Sequence, residues 1–317
     1  MFAILLWWTA LSFPLGILVG QCISFGMDGP PRFGPVFART GSPVLRKPTA
    51  TEPIEKWLSL AETALQRSWA FRNSTEALFW FHSVLKVDPQ NTAARLGSAR
   101  AYQYVASQPY WHNDVHLARS AAAEALAMAE QVIPSSARVA RERALVCGQV
   151  HSAMGRSDVA ERFFDKGNSI DPDYSPGQYF TYFNRLFIRP READILPGLQ
   201  RAVELAEAEG SERRMAAALY FKGFANTLFG NYHEAIQDLK RSMTNSPKYG
   251  SANLALIAAA ALAGDPETYR AVRSFEGAYP DFKPELLDYM WLERSASDEY
   301  RRLAQPLVQV VRTQLGH

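Results

Sequence analysis

Cysteine is scarce: only Cys22 and Cys147 occur in 317 residues, too few for a disulfide framework. Cys147 falls at an apolar helical position beside Gly148 and is expected as a small core residue. An excess of charge of one sign is also lacking. Lys and Arg total 34 against 32 Asp and Glu, a net charge of +2, so no nucleic-acid-binding stripe is indicated. The clusters Arg185/Arg189/Arg191 and Arg213/Arg214 read as solvated helix faces. Runs that alternate apolar and polar residues are missing beyond Ile54, so no segment asks for a sheet. Helical periodicity continues to the C-terminus, and the expected fold class is all-α. With 47% hydrophobic residues, material for a core is ample.

Catalytic signatures are missing too. There is no Walker loop, GxGxxG, GxSxG or CxxC, so phosphate cradling, acyl transfer and thiol exchange lack their minimal parts. Glu204, Glu207 and Glu209 flank or oppose the apolar stripe of Leu199, Val203 and Ala206, as a solvated face does. His112 and His116 in WHNDVH are four apart and would share a face on a helix, as zinc ligands often do. They come without HExxH or a third ligand at diagnostic spacing, and a polar helix entry beside Trp111 explains the same residues. His82 and His151 stand alone in helices, at the core edge or the surface. No metal, no cofactor and no enzymatic activity are therefore expected.

Residues 2–25, FAILLWWTALSFPLGILVGQCISF, contain no charged side chain and as a helix could cross a hydrocarbon core of about 30 Å. Residues 1–26 are read as a transmembrane or signal-anchor segment. A cleaved secretory signal is the alternative, although no basic n-region precedes the apolar run. Gln21 before Cys22 does not suit a lipoprotein signal. The expected localisation is single-pass membrane. Arg32, Arg39, Arg46 and Lys47 would keep the rest of the chain in the cytoplasm, but a long domain can override that bias, so the side is left open. Residues 27–53, with Pro30, Pro31, Pro35, Pro43, Pro48 and Pro53, read as an extended linker. Residues 54–317 form the helical part.

Within that part Gly148, Gly155, Ala160, Phe164 and Pro172 stand at offsets 0, 7, 12, 16 and 24. Gly223, Gly230, Ala235, Leu239 and Pro247 repeat those offsets 75 residues on. Ala77, Phe81 and Pro89 add a partial copy. Small residues suit a close helix crossing, glycine suits the turn, and proline closes the second helix. The stretches GQVHSAMGRSDVAERFFDKGNSIDP and GFANTLFGNYHEAIQDLKRSMTNSP resemble the tetratricopeptide repeat family, which implies a right-handed solenoid of helix pairs. Pairs are expected at 54–70 with 74–87, 91–108 with 113–132, 136–154 with 157–170, 176–188 with 193–209, 212–229 with 232–246, and 250–263 with 266–278. Residues 103–116 lengthen one connection, and such insertions often line a binding face. From Leu286 to Leu315 an amphipathic pattern suggests a capping helix over the open end of the array.

A wider resemblance over about 54–290 is to the repeat halves of bacterial proteins that carry a winged-helix regulator or a nucleotide cyclase. It rests on STEALFWFHSVLKVDPQNTAARLGSARAY and YHEAIQDLKRSMTNSPKYGSANLALIAAAALAGDPETYRAV. The functional expectation is a membrane-tethered scaffold that binds a peptide or protein partner, and no nucleic acid, in a concave groove. The alternative is an orphan sensor half of a transcription-regulator or cyclase system. The family's register implies that Leu145, Gln149, Ser152, Tyr220, Phe224 and Thr227 face the groove. None of them is a lysine, arginine or asparagine, so an apolar or helical ligand is expected.

Overall fold

Glycine fixes the turns between paired helices. Gly155 and Gly230 sit at φ +73° and +82°, a left-handed conformation that costs a residue with a Cβ more than it costs glycine. Glycine also fixes how closely the paired helices cross. A Cβ on Gly148 would lie 2.5 Å from Phe164 Cε1, and one on Gly223 would lie 2.6 Å from Leu239 Cγ. Ala160 and Ala235 are fully buried on the facing helices. The computed structural model describes residues 53–67, 71–247, 249–295 and 297–316.

Twelve of the described helices run in pairs: α1 (Ile54–Arg67) with α2 (Phe71–Val87), α3 (Thr92–Ser107) with α4 (Val115–Glu130), and α5 (Ala137–Ala153) with α6 (Ser157–Ile170). Next come α7 (Ser175–Ile188) with α8 (Ile195–Ala208), α9 (Glu212–Leu228) with α10 (Tyr232–Asn245), and α11 (Gly250–Ala263) with α12 (Glu267–Ala278). A π-helical turn, Asp288–Leu292, precedes α13 (Asp298–Gln314). No strand occurs among the described residues. Polar side chains start several helices by accepting from free amides: Asn91 from Ala94, Asp114 from His116 and Leu117, Ser136 from Val139, Ser211 from Arg214.

First and second helices differ in burial. The second helices α6, α10 and α12 bury one stripe. In α11, GSANLALIAAAALA, each residue from Gly250 to Ala260 is buried. A helix apolar on all sides belongs inside, and the first helices α3, α5, α7, α9 and α11 touch one another in succession. They form the inner wall of the array. Cys147 lies in that wall, buried and unpaired, its pKa pushed up to about 11 by burial.

Two expectations are corrected and one is extended. The C-terminal helix does not close an end of the array. Its buried stripe, Tyr300, Ala304, Leu307, Val308 and Val311, packs against α11 and reaches α9 and α7, so the chain turns back across its own first helices. The insertion near residue 110 contributes Gln108 and Trp111 to the wall of the inner cavity and is also a clasp. Tyr110 is buried, its ring 4.9 Å from Tyr279. Asn113 donates to the carbonyl of Asp281 at 2.6 Å and accepts from the amide of Lys283 at 3.3 Å. Arg213 on α9 also donates to the carbonyl of Leu65 on α1. The superhelix thereby closes on itself.

The single-pass membrane localisation is the other correction. No helix among the described residues is long and apolar enough to cross a membrane. The longest have 17 residues, about 25 Å at ~1.5 Å per residue against a core of ~30 Å. Residues 2–25, which carried the expectation, and most of the 27–53 linker lie outside the described residues, as does Cys22.

Candidate binding cavity

Closure of the superhelix leaves a partly open cavity of about 580 Å³ on its inner side. On α7 and α9 its wall is made by the N-terminal halves, from Pro176 to Phe183 and from Arg213 to Phe221. The C-terminal halves are covered by the returning segment: Tyr300 lies 4.9 Å from Phe187, and Trp291 lies 5.5 Å from Phe224. Of the residues expected to face a groove, Leu145, Gln149 and Ser152 on α5 and Tyr220 on α9 line the cavity. Phe224 and Thr227 belong to the covered half. Both are fully buried, and the Thr227 hydroxyl donates back to the Gly223 carbonyl at 2.8 Å.

The wall is more highly charged than the six expected positions suggested. Five arginines line it, Arg100, Arg138, Arg213, Arg214 and Arg294, against three glutamates, Glu62, Glu142 and Glu209. Reading Arg213 and Arg214 as a solvated face is corrected by this placement. The signal was available: Arg213 stands seven residues before Tyr220, which puts both on one face of α9. Arg294 could not be found this way, because it lies outside the repeats.

Each glutamate already has a cation. Glu62 takes a forked pair from Arg100, both bonds 3.3 Å. Glu142 lies 3.6 Å from Arg141, which also pairs with Asp171. Glu209 caps α7, accepting from the Ser175 amide at 3.1 Å and hydroxyl at 2.7 Å, and it accepts from Arg214 at 2.7 Å. Burial works against the charge on Glu209, but the Arg214 and Ser175 hydrogen bonds outweigh it and hold its pKa below the usual carboxylate value. The Tyr174 ring has the guanidinium of Arg141 3.7 Å from its centroid and that of Arg214 4.7 Å from it, a cation–π arrangement that fixes both planes.

The remaining wall is aromatic. Tyr179, Phe180, Phe183, Tyr220, Phe221 and Tyr249 form a connected set with centroids 4.3–6.2 Å apart. Burial raises the Tyr220 hydroxyl to about 12 against the opposing pull of Arg294.

His112 and His116 do not share a helical face. His112 precedes α4, its Nε2 3.2 Å from the Val105 carbonyl and its ring beside Phe71, while His116 is exposed in the first turn. Among the described residues no group of three or more His, Cys, Asp or Glu is placed to hold a metal ion. His151 is buried and stacks on Phe163.

No family model matches the sequence, and no curated protein matches it. Solved structures share the architecture. A Cut9–Hcn1 hetero-tetramer of the APC/C matches with a TM-score of 0.53 at 14% identity, over 86% of this chain and 44% of that one. A human IFIT1 dimer with m7Gppp-AAAA matches at 0.51 and 13%, over 95% of this chain and 66% of that one. YrrB, a TPR protein with an unusual peptide-binding site, matches at 0.36 and 18%, over 63% and 93%. The chain thus spans less than half of the first of these and about two thirds of the second. The fold is a tetratricopeptide-type helical solenoid.

Proposed function

We propose that this chain is a protein-binding scaffold whose inner cavity holds a segment of a partner protein. The observation that carries the reading is the cavity itself, about 580 Å³ in volume and walled by successive first helices. That volume suits a short peptide segment or a small ligand, and the wall combines aromatic rings with guanidinium groups, the residue types that anchor interfaces. The expected apolar ligand is replaced by a polar one that carries some apolar surface. Leu145, Gln149, Ser152 and Tyr220 are its contact residues. Two of the structures that share the fold are a hetero-tetramer and a capped-RNA complex. For this chain we favour a protein partner, because three glutamates share the wall with the five arginines and the net charge of the whole is only +2.

The test is site-specific photo-crosslinking in cells with the full chain. A crosslinking amino acid at Gln149, on the cavity wall, should capture a discrete protein, whereas one at Tyr269, which is 70% exposed on α12, should not. Capture from Tyr269 alone, or capture of an oligonucleotide from Gln149, would sink the reading.

A further inference from the structure

Much of the charge in the cavity wall is committed within the protein. Arg100 and Glu62 form a forked pair, Arg214 is held by Glu209 and the Tyr174 ring, and Arg213 donates to the Leu65 carbonyl with its guanidinium 4.8 Å from the Tyr104 centroid. The aromatic surface is less spent. Phe180 on α7 and Trp111 in the insertion line the cavity and are only half-buried, and among the described residues no guanidinium lies over either ring. Phe180 is backed by other rings, parallel to Phe164 at 6.0 Å and edge-on to Tyr179 at 4.6 Å and to Phe221 at 5.5 Å. Gln108 adds directional donors to the same wall. Its Oε1 accepts from the Tyr110 hydroxyl and, at 3.4 Å, from the Ser251 hydroxyl. Tyr110 is itself fixed against Gly250, where a Cβ would lie 2.6 Å from the ring. The two hydroxyls occupy both lone pairs of the amide oxygen, so what Gln108 has left to offer is its amino group, two N–H donors and no acceptor.

A matching segment brings acceptors with few donors of its own, apolar faces for Phe180 and Trp111, and no net charge. A proline-rich backbone meets all three conditions. Each proline has a carbonyl but no N–H, its ring is apolar, and the polyproline II helix that such sequences form has no internal hydrogen bonds, so its carbonyls stay available. Aromatic-lined grooves take up this helix at low entropic cost because it is already ordered. We infer that the cavity selects proline-rich segments in the polyproline II conformation, with Phe180 and Trp111 stacking on proline rings and the Gln108 amino group donating to a ligand carbonyl. This rests on the protein-binding reading above and names the chemistry of the segment. Gln108 and Trp111 both come from the insertion, so selectivity depends on that connection as well as on the repeats.

The probes are three decapeptides with capped termini and the same fluorescent label, titrated against the full chain by fluorescence anisotropy: decaproline, an alternating glycine–serine peptide and decaglutamate. Decaproline should bind about tenfold more tightly than the glycine–serine peptide, because less ordering is lost on binding, and more tightly than decaglutamate. Phe180→Leu keeps apolar volume but removes the ring face, and should weaken decaproline by about fivefold to tenfold. Gln108→Glu keeps an acceptor for Tyr110 and Ser251 but removes both N–H donors, and should cost about fivefold, the worth of one hydrogen bond. Unchanged amide protection over 109–114 in that variant shows the clasp intact. Tyr269→Ala, at an exposed position on α12, should change nothing. Equal binding of decaproline and the glycine–serine peptide would overturn the polyproline selection, and tighter binding of decaglutamate would overturn the uncharged ligand. Decaproline binding that neither Phe180→Leu nor Gln108→Glu weakens would overturn the site. If none of the peptides binds, the proposal fails, and the Gln149 crosslink separates the two readings: capture of a protein there keeps the protein-binding reading, and no capture ends both.

Discussion

The indole of Trp291 lies 5.5 Å from the phenyl ring of Phe224, centroid to centroid, with both side chains buried. Phe224 belongs to the first helix of a strong repeat unit, so the C-terminal segment packs over the inner wall of the array. Removing the indole leaves a cavity that the stacked helices cannot fill, and Trp291→Ala should cost about 3–5 kcal/mol. Urea denaturation measures the loss. Hydrogen exchange locates it: amides of α7, α9, α11 and α13 should lose protection before those of α1 and α2, since neighbouring repeats share stability locally. Uniform loss along the chain would argue that the tail is not a local cover.

Two glycines of one repeat unit should fail for different reasons. Gly223→Ala places a Cβ 2.6 Å from Leu239 Cγ and 3.3 Å from the Ala235 carbonyl. The gain of about 1 kcal/mol from alanine in a helix is set against overpacking of about 1–3 kcal/mol, so a net loss of about 1 kcal/mol is expected. Gly230→Ala meets nothing within 4 Å but sits at φ +82°, and should lose about 1 kcal/mol through backbone strain. Double-mutant cycles separate the two. Leu239→Ala should couple with Gly223→Ala and act additively with Gly230→Ala.

The local half of this architecture was legible because it is local. Gly148 and Phe164, sixteen residues apart, meet across a single turn, and the helix expected at 157–170 is α6 with the same ends. The degenerate pair at 176–209 was located by the room left between two strong copies, and α7 and α8 fill it. Long-range closure was not legible. Asn113 reaches Asp281, 168 residues away, through the summed small rotations of the intervening repeats, which no sequence window encodes. The C-terminal stripe from Tyr300 to Val311 declared that one face of α13 is buried, but amphipathicity does not say against what. Arg294 was hidden for the same reason: its place in the cavity follows from how the tail docks.

Closure itself can be tested at the clasp. Asn113 has φ +53°, a conformation asparagine tolerates better than most residues, and its side chain makes the hydrogen bonds to Asp281 and Lys283. Asn113→Gly keeps the backbone freedom and removes both bonds, while Asn113→Ala adds strain to that loss. We expect stability to fall by about 1–2 kcal/mol for the glycine variant and by roughly 1 kcal/mol more for alanine. Amide protection around 281–283 should drop in both. Unchanged protection there would mean that Tyr110 on Tyr279 suffices to hold the ring shut.

Acid should weaken the N-terminal repeats through His82. Burial, assisted by the charge of Lys86, lowers its pKa from 6.5 to about 4, and its Nε2 lies 3.4 Å from the Tyr102 hydroxyl. A depressed folded-state pKa means that the fold disfavours the protonated ring. The contribution is therefore fully present above about 6.5 and is lost as pH falls toward 4, by on the order of 2–3 kcal/mol. His112 and His151 are also lowered by burial and act with the same sign. Asp238 acts with the opposite one: burial raises its carboxyl against the pull of Lys222, so its contribution is present at low pH and fades as pH rises. His82→Gln, which cannot titrate, should shrink the drop in urea midpoint between pH 7.5 and pH 5 without removing it, and hydrogen exchange should place the recovered stability in α2 and α3. An identical drop in parent and variant would show that the acid sensitivity resides in the other two histidines.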